Sequence, residues 1–250
     1  MNIIFTNDDG INAPGIRALI DGRSDYLNAI VVAPATERSA TSHSISLGQK
    51  LRVEEYTERG IEHFEIHGTP ADCIKFSVSE LAFQPDLIVS GINQGANTGI
   101  SVYYSGTISA AREGLINRIP SIAISLCSRT FRDFRVSVNT TMRIIEAYHQ
   151  GLFPKNVLLS INVPPLRPDE VRGIKITKQA ASRFVEEFVK EKEHEGNRVY
   201  SLAGEIELID ADGTSDEEAV SEGYISLTPL KLDVTDYESI PQFEKWLKRQ

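Results

Sequence analysis

Cysteine is scarce in this sequence, as are long apolar runs and any excess of positive charge. The 250 residues contain two cysteines, Cys73 and Cys127. Two are too few for a disulfide framework or a zinc site built of thiolates alone. A reducing cytoplasm fits this composition, and we expect a cytoplasmic protein. The N-terminal apolar run ends at Phe5 and follows no basic segment, so it does not have the pattern of a signal peptide.

No stretch approaches the roughly 20 apolar residues that cross a bilayer, so we expect no membrane partner. The net charge is −9, from 26 basic and 35 acidic residues. Residues 182–222 hold four of the basic and thirteen of the acidic residues, which accounts for the whole excess. The simplest interpretation of this acidic segment is a solvated, projecting surface. Without a concentrated basic stripe, binding to a long nucleic acid is disfavoured.

Segments typical of buried strands alternate with helical segments along most of the chain. The strand-like segments are 2–6, 29–33, 51–56, 62–67, 86–90, 121–126 and 157–163. Helices are predicted from Pro14, over 70–81, from Ser105 and over 138–148. Strands that are apolar on both faces and alternate with helices indicate an α/β fold with a doubly wound, mostly parallel sheet covered on both sides.

The pattern changes after Pro164 and Pro165. Residues 173–179, 183–189 and 198–209 resemble strands of an antiparallel hairpin arm, and 240–248 a terminal helix. We therefore expect a catalytic core over residues 1–170 and an arm with oligomerisation elements over 171–250, together completing one domain. Exchange of such elements between identical subunits would give the arm a packing partner.

Three polar loops follow predicted strands, at residues 7–10, 36–46 and 91–106. Ligands of open parallel sheets bind at the carboxyl ends of the strands, so these loops should meet. Asp8 and Asp9 are adjacent carboxylates that repel each other unless a cation or proton compensates, although either could simply cap the following helix. With the oxygens of Ser39 and Asn93, they form a donor set that suits Mg²⁺ or Mn²⁺.

The third loop also has the features of an anion site. Gly91, Gly95 and Gly99 permit tight turns that expose N–H groups. Ser105, Gly106 and Thr107 begin a helix, whose N-terminus favours phosphate, although plain helix capping is an alternative. A metal loop beside an anion loop suggests phosphate-ester chemistry. Neither a Walker motif nor a dinucleotide-binding glycine motif is present.

Six segments of the sequence resemble the SurE (survival protein E) family of metal-dependent 5′/3′-nucleotidases. They are TNDDGINAPGIRAL, VVAPATERSATSHSISL, HGTPADCIKF, PDLIVSGINQGANTG, YYSGTISAAREG and GYISLTPLKLDVTDY. Their order and combined length make the match specific. The resemblance implies a Rossmann-like core and hydrolysis of nucleoside monophosphates with one divalent ion per subunit, most often Mn²⁺ or Mg²⁺. In some members it also implies activity on short polyphosphate.

The resemblance also implies roles for individual residues. Asp8, Asp9, Ser39 and Asn93 would bind the metal. Apart from the resemblance, Asp8 and Asp9 are the candidate catalytic residues, because either carboxylate could accept the proton of an attacking water. Asn97, Ser105, Gly106 and Thr107 would bind the phosphate. Homodimers or homotetramers with exchanged C-terminal elements are usual in the family. Ala40 stands where the family often has glycine. This difference affects the expected backbone conformation of the loop, but it does not affect the assignment of Ser39 as a metal ligand.

The residues leave several alternatives open. A carboxylate that activates water is favoured over a covalent aspartyl-phosphate, because the Asp-x-Asp spacing of haloacid-dehalogenase phosphatases is absent. A receiver-like phosphoacceptor module and a non-catalytic oligomer ordered by a metal are rival functions. His43 in the serine-rich loop could act on the substrate, and Tyr103 and Tyr104 could stack on a base or simply pack.

Overall fold

The computed structural model describes residues 1–194, 197–209 and 211–249. Its strands are β1 Asn2–Thr6, β2 Asn28–Pro34, β3 Val53–Glu58, β4 Ile61–Ile66, β5 Leu87–Gln94, β6 Ser121–Leu126, β7 Leu158–Val163, β8 Ile174–Ile176, β9 Ser182–His194, β10 Asn197–Leu208 and β11 Ile225–Leu230. Its helices are α1 Pro14–Asp21, α2 Pro70–Glu80, α3 Ser101–Tyr104, α4 Gly106–Ile116, α5 Arg135–His149, α6 Asp216–Ser221 and α7 Ile240–Leu247.

Nine strands form one sheet in the order β3-β4-β2-β1-β5-β6-β7-β11-β8. The neighbours from β4 to β7 are all parallel, whereas β3 pairs antiparallel with β4, and β11 antiparallel with β7. The chain moves from β1 to β2 on one side and later returns to add β5 on the other side of β1. The sheet is therefore mostly parallel and doubly wound, as predicted, with its switch point between β1 and β5.

Helices cover both faces of this sheet. On one face, α1 and α5 contribute Ile16 and Ile145 to a core that includes Phe5 and Val89 of the central strands. On the other face, α2 and α4 pack beside each other, and Ile74 of α2 joins the cluster containing Ile4 and Val32. Because the central strands are buried on both sides, they consist largely of isoleucine, leucine and valine.

The capping signals in the sequence begin the helices as expected. Thr69 and Asp72 form a reciprocal capping box at the start of α2. The hydroxyl of Ser105 accepts a hydrogen bond from the backbone N–H of Ile108 and caps α4. Pro14 occupies the first turn of α1, where its missing N–H costs nothing. The helix predicted over 138–148 extends further at its start, since α5 begins at Arg135.

The C-terminal third differs in part from the expectation. The predicted antiparallel hairpin is present, because β9 pairs antiparallel with β10 in a separate two-stranded sheet. The segment 173–179 was expected to belong to that arm, but its strand β8 instead pairs parallel with β11 at the edge of the main sheet. This segment therefore extends the main sheet at its edge and is not part of the arm. None of the helices in the described part of the chain is both long and apolar enough to cross a membrane.

Candidate functional site

The three polar loops meet at the carboxyl ends of β1, β2 and β5. The backbone N–H of Arg38, in the loop after β2, donates to the carbonyl of Asp8 at 2.7 Å. The backbone N–H of Gln94, at the end of β5, donates to Oδ2 of Asp9 at 3.3 Å. Loops that are distant in sequence therefore share hydrogen bonds with the Asp8–Asp9 pair, which places the candidate site at the switch point of the sheet.

Asp8 is buried, with 4% of its surface exposed, against the start of α4. The hydroxyl of Thr107 donates to Oδ1 of Asp8 at 2.5 Å. A Cβ atom on Gly106 would lie 2.7 Å from the Cβ of Asp8, so only glycine allows this approach. Burial raises the pKa of the Asp8 carboxyl, and the hydrogen bond from Thr107 partly opposes the increase. The predicted metal loop and the predicted phosphate loop are thus in direct contact.

Asp9 lies beside Asp8 and is half-buried. Burial and the charge of Asp8 raise the pKa of Asp9 to about 6, although the N–H of Gln94 favours the ionised form. Among the residues that the structure describes, neither aspartate has a lysine, arginine or histidine within ion-pair distance. Two adjacent carboxylates without an ion-pair partner are what a bound cation would stabilise.

Ser39 lies in an exposed part of the second loop, and its hydroxyl donates to Oε1 of Glu37 at 2.6 Å. Its neighbour Arg38 contacts the backbone of Asp8, so Ser39 is held on the same side of the sheet. The charge of Glu37 contributes to the raised pKa values of both aspartates. Glu37 therefore adds a third carboxylate to the region.

Asn93 lies at the end of β5, and its Nδ2 donates to the carbonyl of Gly95 at 2.8 Å. This hydrogen bond fixes the amide and leaves Oδ1 as the atom that can bind a cation. Asn97 is deeper: its Nδ2 donates to Oγ of Ser125 at 2.8 Å, and its backbone N–H to Oδ1 of Asn162 at 2.9 Å. The ends of β6 and β7 thereby order the loop that follows β5.

The start of α4 provides backbone N–H groups directed at the site. The Ser105 hydroxyl is engaged as the helix cap, and the Thr107 hydroxyl is engaged by Asp8. Both side chains therefore stabilise the start of α4 in this structure, in line with the helix-capping alternative for these residues. The backbone N–H of Thr107 also faces the Asp8 carboxylate and favours its ionised form. The backbone amide of Gly106, in the positive first turn of an eleven-residue helix, remains suited to an anion.

The donor chemistry of the site fits a hard divalent ion. Carboxylate, amide and hydroxyl oxygens are available from Asp8, Asp9, Asn93 and Ser39, whereas thiol and imidazole groups, which suit zinc, take no part. Another cluster in the described residues, Glu54, Glu65 and His67, has ligand atoms within 4.8 Å of one another. It lies on the β3–β4 pair, where Glu54 already binds Arg52 and His67.

Sequence reasoning missed two charged residues at this site. Glu37 is two positions before Ser39, inside a loop that the sequence marked only by its hydroxyl residues. Arg129 follows β6, and its positive charge favours the ionised form of Asp9. The position of Arg129 after a parallel strand next to β5 was the signal that could have identified it.

The chain is similar to proteins of a known family over most of its length. The model of the family described as "Survival protein SurE" matches residues 3–186, which is well over half of the chain. The chain belongs to the SurE family.

Curated SurE relatives match nearly the whole chain. A protein named "5'-nucleotidase SurE" from Heliobacterium modesticaldum is 43% identical over 99% of this chain and 92% of its own length. A protein of the same name from Pelotomaculum thermopropionicum is 44% identical over 99% of this chain and 96% of its own length. The matches therefore include the candidate site and the C-terminal arm.

A solved structure also matches. The crystal structure of the SurE protein from Aquifex aeolicus superimposes with a TM-score of 0.84 at 34% identity, covering 99% of this chain and 100% of that one. The predicted SurE resemblance and the predicted α/β fold are both confirmed. The metal and phosphate ligands assigned from the resemblance are not tested by these comparisons and stay predictions.

Proposed function

We propose that this SurE-family chain is a metal-dependent phosphomonoesterase that hydrolyses nucleoside 5′- or 3′-monophosphates to nucleoside and phosphate. Relatives named 5'-nucleotidase, about 40% identical over nearly the full length, support nucleotidase activity. One structural observation carries the proposal furthest. The buried Asp8 carboxylate contacts the N-terminal turn of α4 through Thr107, which supports a cation site and an anion site next to each other.

The metal would be one divalent ion per subunit, Mn²⁺ or Mg²⁺, held by Asp8, Asp9, Ser39 and Asn93. When bound, it would neutralise charge on the phosphate and lower the pKa of a water molecule. The raised pKa values of Asp8 and Asp9 mean that protons compete with the ion for these carboxylates at acidic pH. Metal binding should therefore weaken as the pH falls toward 6 and below.

The remaining steps belong to residues of the chain. The amide of Gly106 and the side chain of Asn97 bind and orient the phosphate group, while Thr107 holds Asp8 against the start of α4. Asp9, the less buried of the two aspartates, or Asp8 accepts the proton of the attacking water. The water oxygen forms a bond to phosphorus while the bond from phosphorus to the nucleoside oxygen breaks, and the leaving oxygen takes up the proton that the aspartate accepted from the water. Direct attack by water is favoured over an aspartyl-phosphate, as the sequence indicated.

Three finer assignments belong to the same proposal. Short-chain polyphosphate is a second substrate, because its terminal phosphate presents the same group to the site. The enzyme is a homodimer or homotetramer with exchanged C-terminal elements, and the exposed apolar residues of the hairpin and α7 support this. It acts in the cytoplasm, where Cys73 and Cys127, both free thiols, would stay reduced.

The test is phosphate release from AMP, from a 3′-nucleotide and from polyphosphate, each with Mn²⁺, Mg²⁺ or chelator. We expect steady turnover that needs a divalent ion. Replacing Asp8 with asparagine should reduce turnover by about 100-fold or more while the protein stays folded, because asparagine can still accept the Thr107 hydrogen bond. A D8N variant with near-normal rate in Mn²⁺ would reject the assignment.

The same assay separates the two rival functions. A receiver-like module would incorporate one phosphate per chain and stop, whereas a non-catalytic oligomer would bind metal without releasing phosphate. No described feature favours either rival. β5 ends at Gln94, and neither β5 nor the Gly/Asn loop that follows it over residues 95–100 contains an aspartate that could accept a phosphoryl group.

A further inference from the structure

Arg129 lies at the rim of the candidate site and has no role assigned so far. It follows β6, which ends at Leu126, and its side chain is exposed. Its Nε atom lies 4.0 Å from the position that a Cβ atom on Gly95 would occupy, and Nδ2 of Asn93 lies 3.6 Å from the same point. The φ of Gly95 is 139°, a backbone conformation that favours glycine. Gly95 therefore has no side chain that would separate the guanidinium group of Arg129 from Asn93.

The charges around the site make this arginine unusual. Asp8, Asp9 and Glu37 bring three carboxylates to the region, and one divalent ion would neutralise two of them. A phosphate ester that enters the site adds further negative charge. Arg129 is the arginine whose positive charge acts on Asp9. The site thus gains positive charge at the edge facing the loop after β5.

Arg129 also forms no ion pair with an acidic side chain in the described part of the chain. Among the described residues, none of the ion pairs involves Arg129. By contrast, Arg135, six positions later, is paired with Asp133 at 2.5 Å. An exposed guanidinium group beside a cation site retains its donors for a ligand, and its planar fork matches the oxygens of phosphate.

We propose that Arg129 binds a non-bridging oxygen of the substrate's phosphate group and so acts as a phosphate-binding residue of this site. The proposal rests on the proposed function, since it concerns the same substrate. The loop after β6 then contributes to the site together with those after β1, β2 and β5. Arg129 adds positive charge to the anion site without serving as a metal ligand.

The test compares Arg129→Gln and Arg129→Lys with Arg132→Gln, a matched control on an exposed arginine of the same loop. Each variant is assayed for the KM of AMP and for inhibition by inorganic phosphate at saturating Mn²⁺. For R129Q we expect both KM and the phosphate inhibition constant to rise by about 10- to 100-fold, the loss of a charged hydrogen bond. R129K should be affected less, and R132Q by less than about twofold. A merely structural role for Arg129 would lower thermal stability without this selective loss of phosphate affinity.

An R129Q variant that keeps wild-type KM and wild-type phosphate inhibition would overturn the proposal and leave the proposed function standing. If the wild-type protein hydrolyses none of the substrates, the proposed function fails and the role of Arg129 is decided by direct calorimetric titration with inorganic phosphate plus Mn²⁺. Binding that is weakened by R129Q but not by R132Q would support the role. Binding that is equal in all three proteins, or absent in the wild type, would overturn it.

Discussion

Ala40 lies directly after the predicted metal ligand Ser39 and has a φ of 55°. This left-handed conformation costs a residue with a Cβ atom roughly 1 kcal/mol, whereas glycine adopts it freely. The sequence had marked this position, because the SurE resemblance leads one to expect glycine there. The structure gives the reason: the loop turns at residue 40 in a conformation that glycine prefers.

Replacing Ala40 with glycine should therefore leave stability unchanged or raise it by up to about 1 kcal/mol, because relief of strain offsets the greater entropy of glycine in the unfolded chain. Urea denaturation in the presence of chelator measures the change. Ala147→Gly in α5 is the matched control and should cost about 1 kcal/mol. Equal losses in the two variants would show that the conformation of residue 40 is not strained.

Site residues that are marked by a local sequence pattern could be predicted, whereas those that depend on contacts between distant segments could not. Asp8 and Asp9 form an acidic pair directly after a buried strand, and the first turn of α4 carries its own capping signal, so the sequence could predict both. The contact between Thr107 and Asp8 joins residues 99 positions apart, which no local pattern encodes. Arg129 is ordinary in sequence and becomes notable only when the strand order places β6 beside β5.

At the scale of elements, a network around a buried glutamate holds the second loop against α4. Glu113 of α4 is buried and accepts hydrogen bonds from His43 and Lys75, each at 2.9 Å. Burial alone would raise the pKa of Glu113, but these two partners outweigh it and lower the pKa. Since His43 lies four positions after Ser39, the network positions the loop that carries a predicted metal ligand.

Glu113→Gln should lower the free energy of unfolding by about 1–3 kcal/mol at pH 7, because the charged hydrogen bonds are lost. A carboxyl group whose pKa is lowered by folding contributes stability above its unfolded pKa and loses it as the pH falls through the folded pKa. The difference between wild type and variant should therefore shrink below about pH 4.5. Urea denaturation from pH 3.5 to 8 measures this.

The control for that series is Glu58→Gln, which removes an exposed ion pair with Arg17 and should cost less than about 1 kcal/mol at every pH. If the free energy of unfolding of Glu113→Gln is lower than that of the wild type by the same amount at every pH, the ionic character of the network is contradicted.

Element types were more predictable than their partners. Buried strands and capped helices carry their signals within a few residues, and most were predicted within two or three positions of their ends. The predicted location of β8 was wrong, because a three-residue strand of alternating polarity is equally compatible with a hairpin arm and with a sheet edge. The helix α6 was not predicted, since its first turn is acidic and lies inside the acidic segment, although its capping box at Ser215 and Glu218 was a usable signal.

For the whole molecule, the C-terminal elements expose apolar residues that a single chain does not cover. The helix α7 has no buried residue, yet it carries Ile240, Phe243, Trp246 and Leu247, between 40% and 68% exposed. The hairpin strand β9 likewise exposes Phe188. Apolar surface of this kind is typical of an interface, and the proposed exchange of C-terminal elements between identical subunits would cover it.

We expect wild-type protein to be a dimer or tetramer by light scattering and Phe243→Asp to shift it toward monomer. Trp246 is the single tryptophan, so its fluorescence reports on α7 and should move to longer wavelength in the same variant. Leu152→Asp, at an apolar residue that is 70% exposed outside the arm, is the control and should change neither property. A monomeric wild type, or an unchanged mass for F243D, would contradict the proposed exchange.

The most direct test of the central claim is a crystal structure with bound Mn²⁺, located by its anomalous scattering. We predict one strong peak per subunit at coordination distance from oxygens of Asp8, Asp9 and Asn93, beside the first turn of α4. Asp8, Asp9 and Asn93 turned away from one another with no peak between them, or a peak at Glu54, Glu65 and His67 instead, would contradict it.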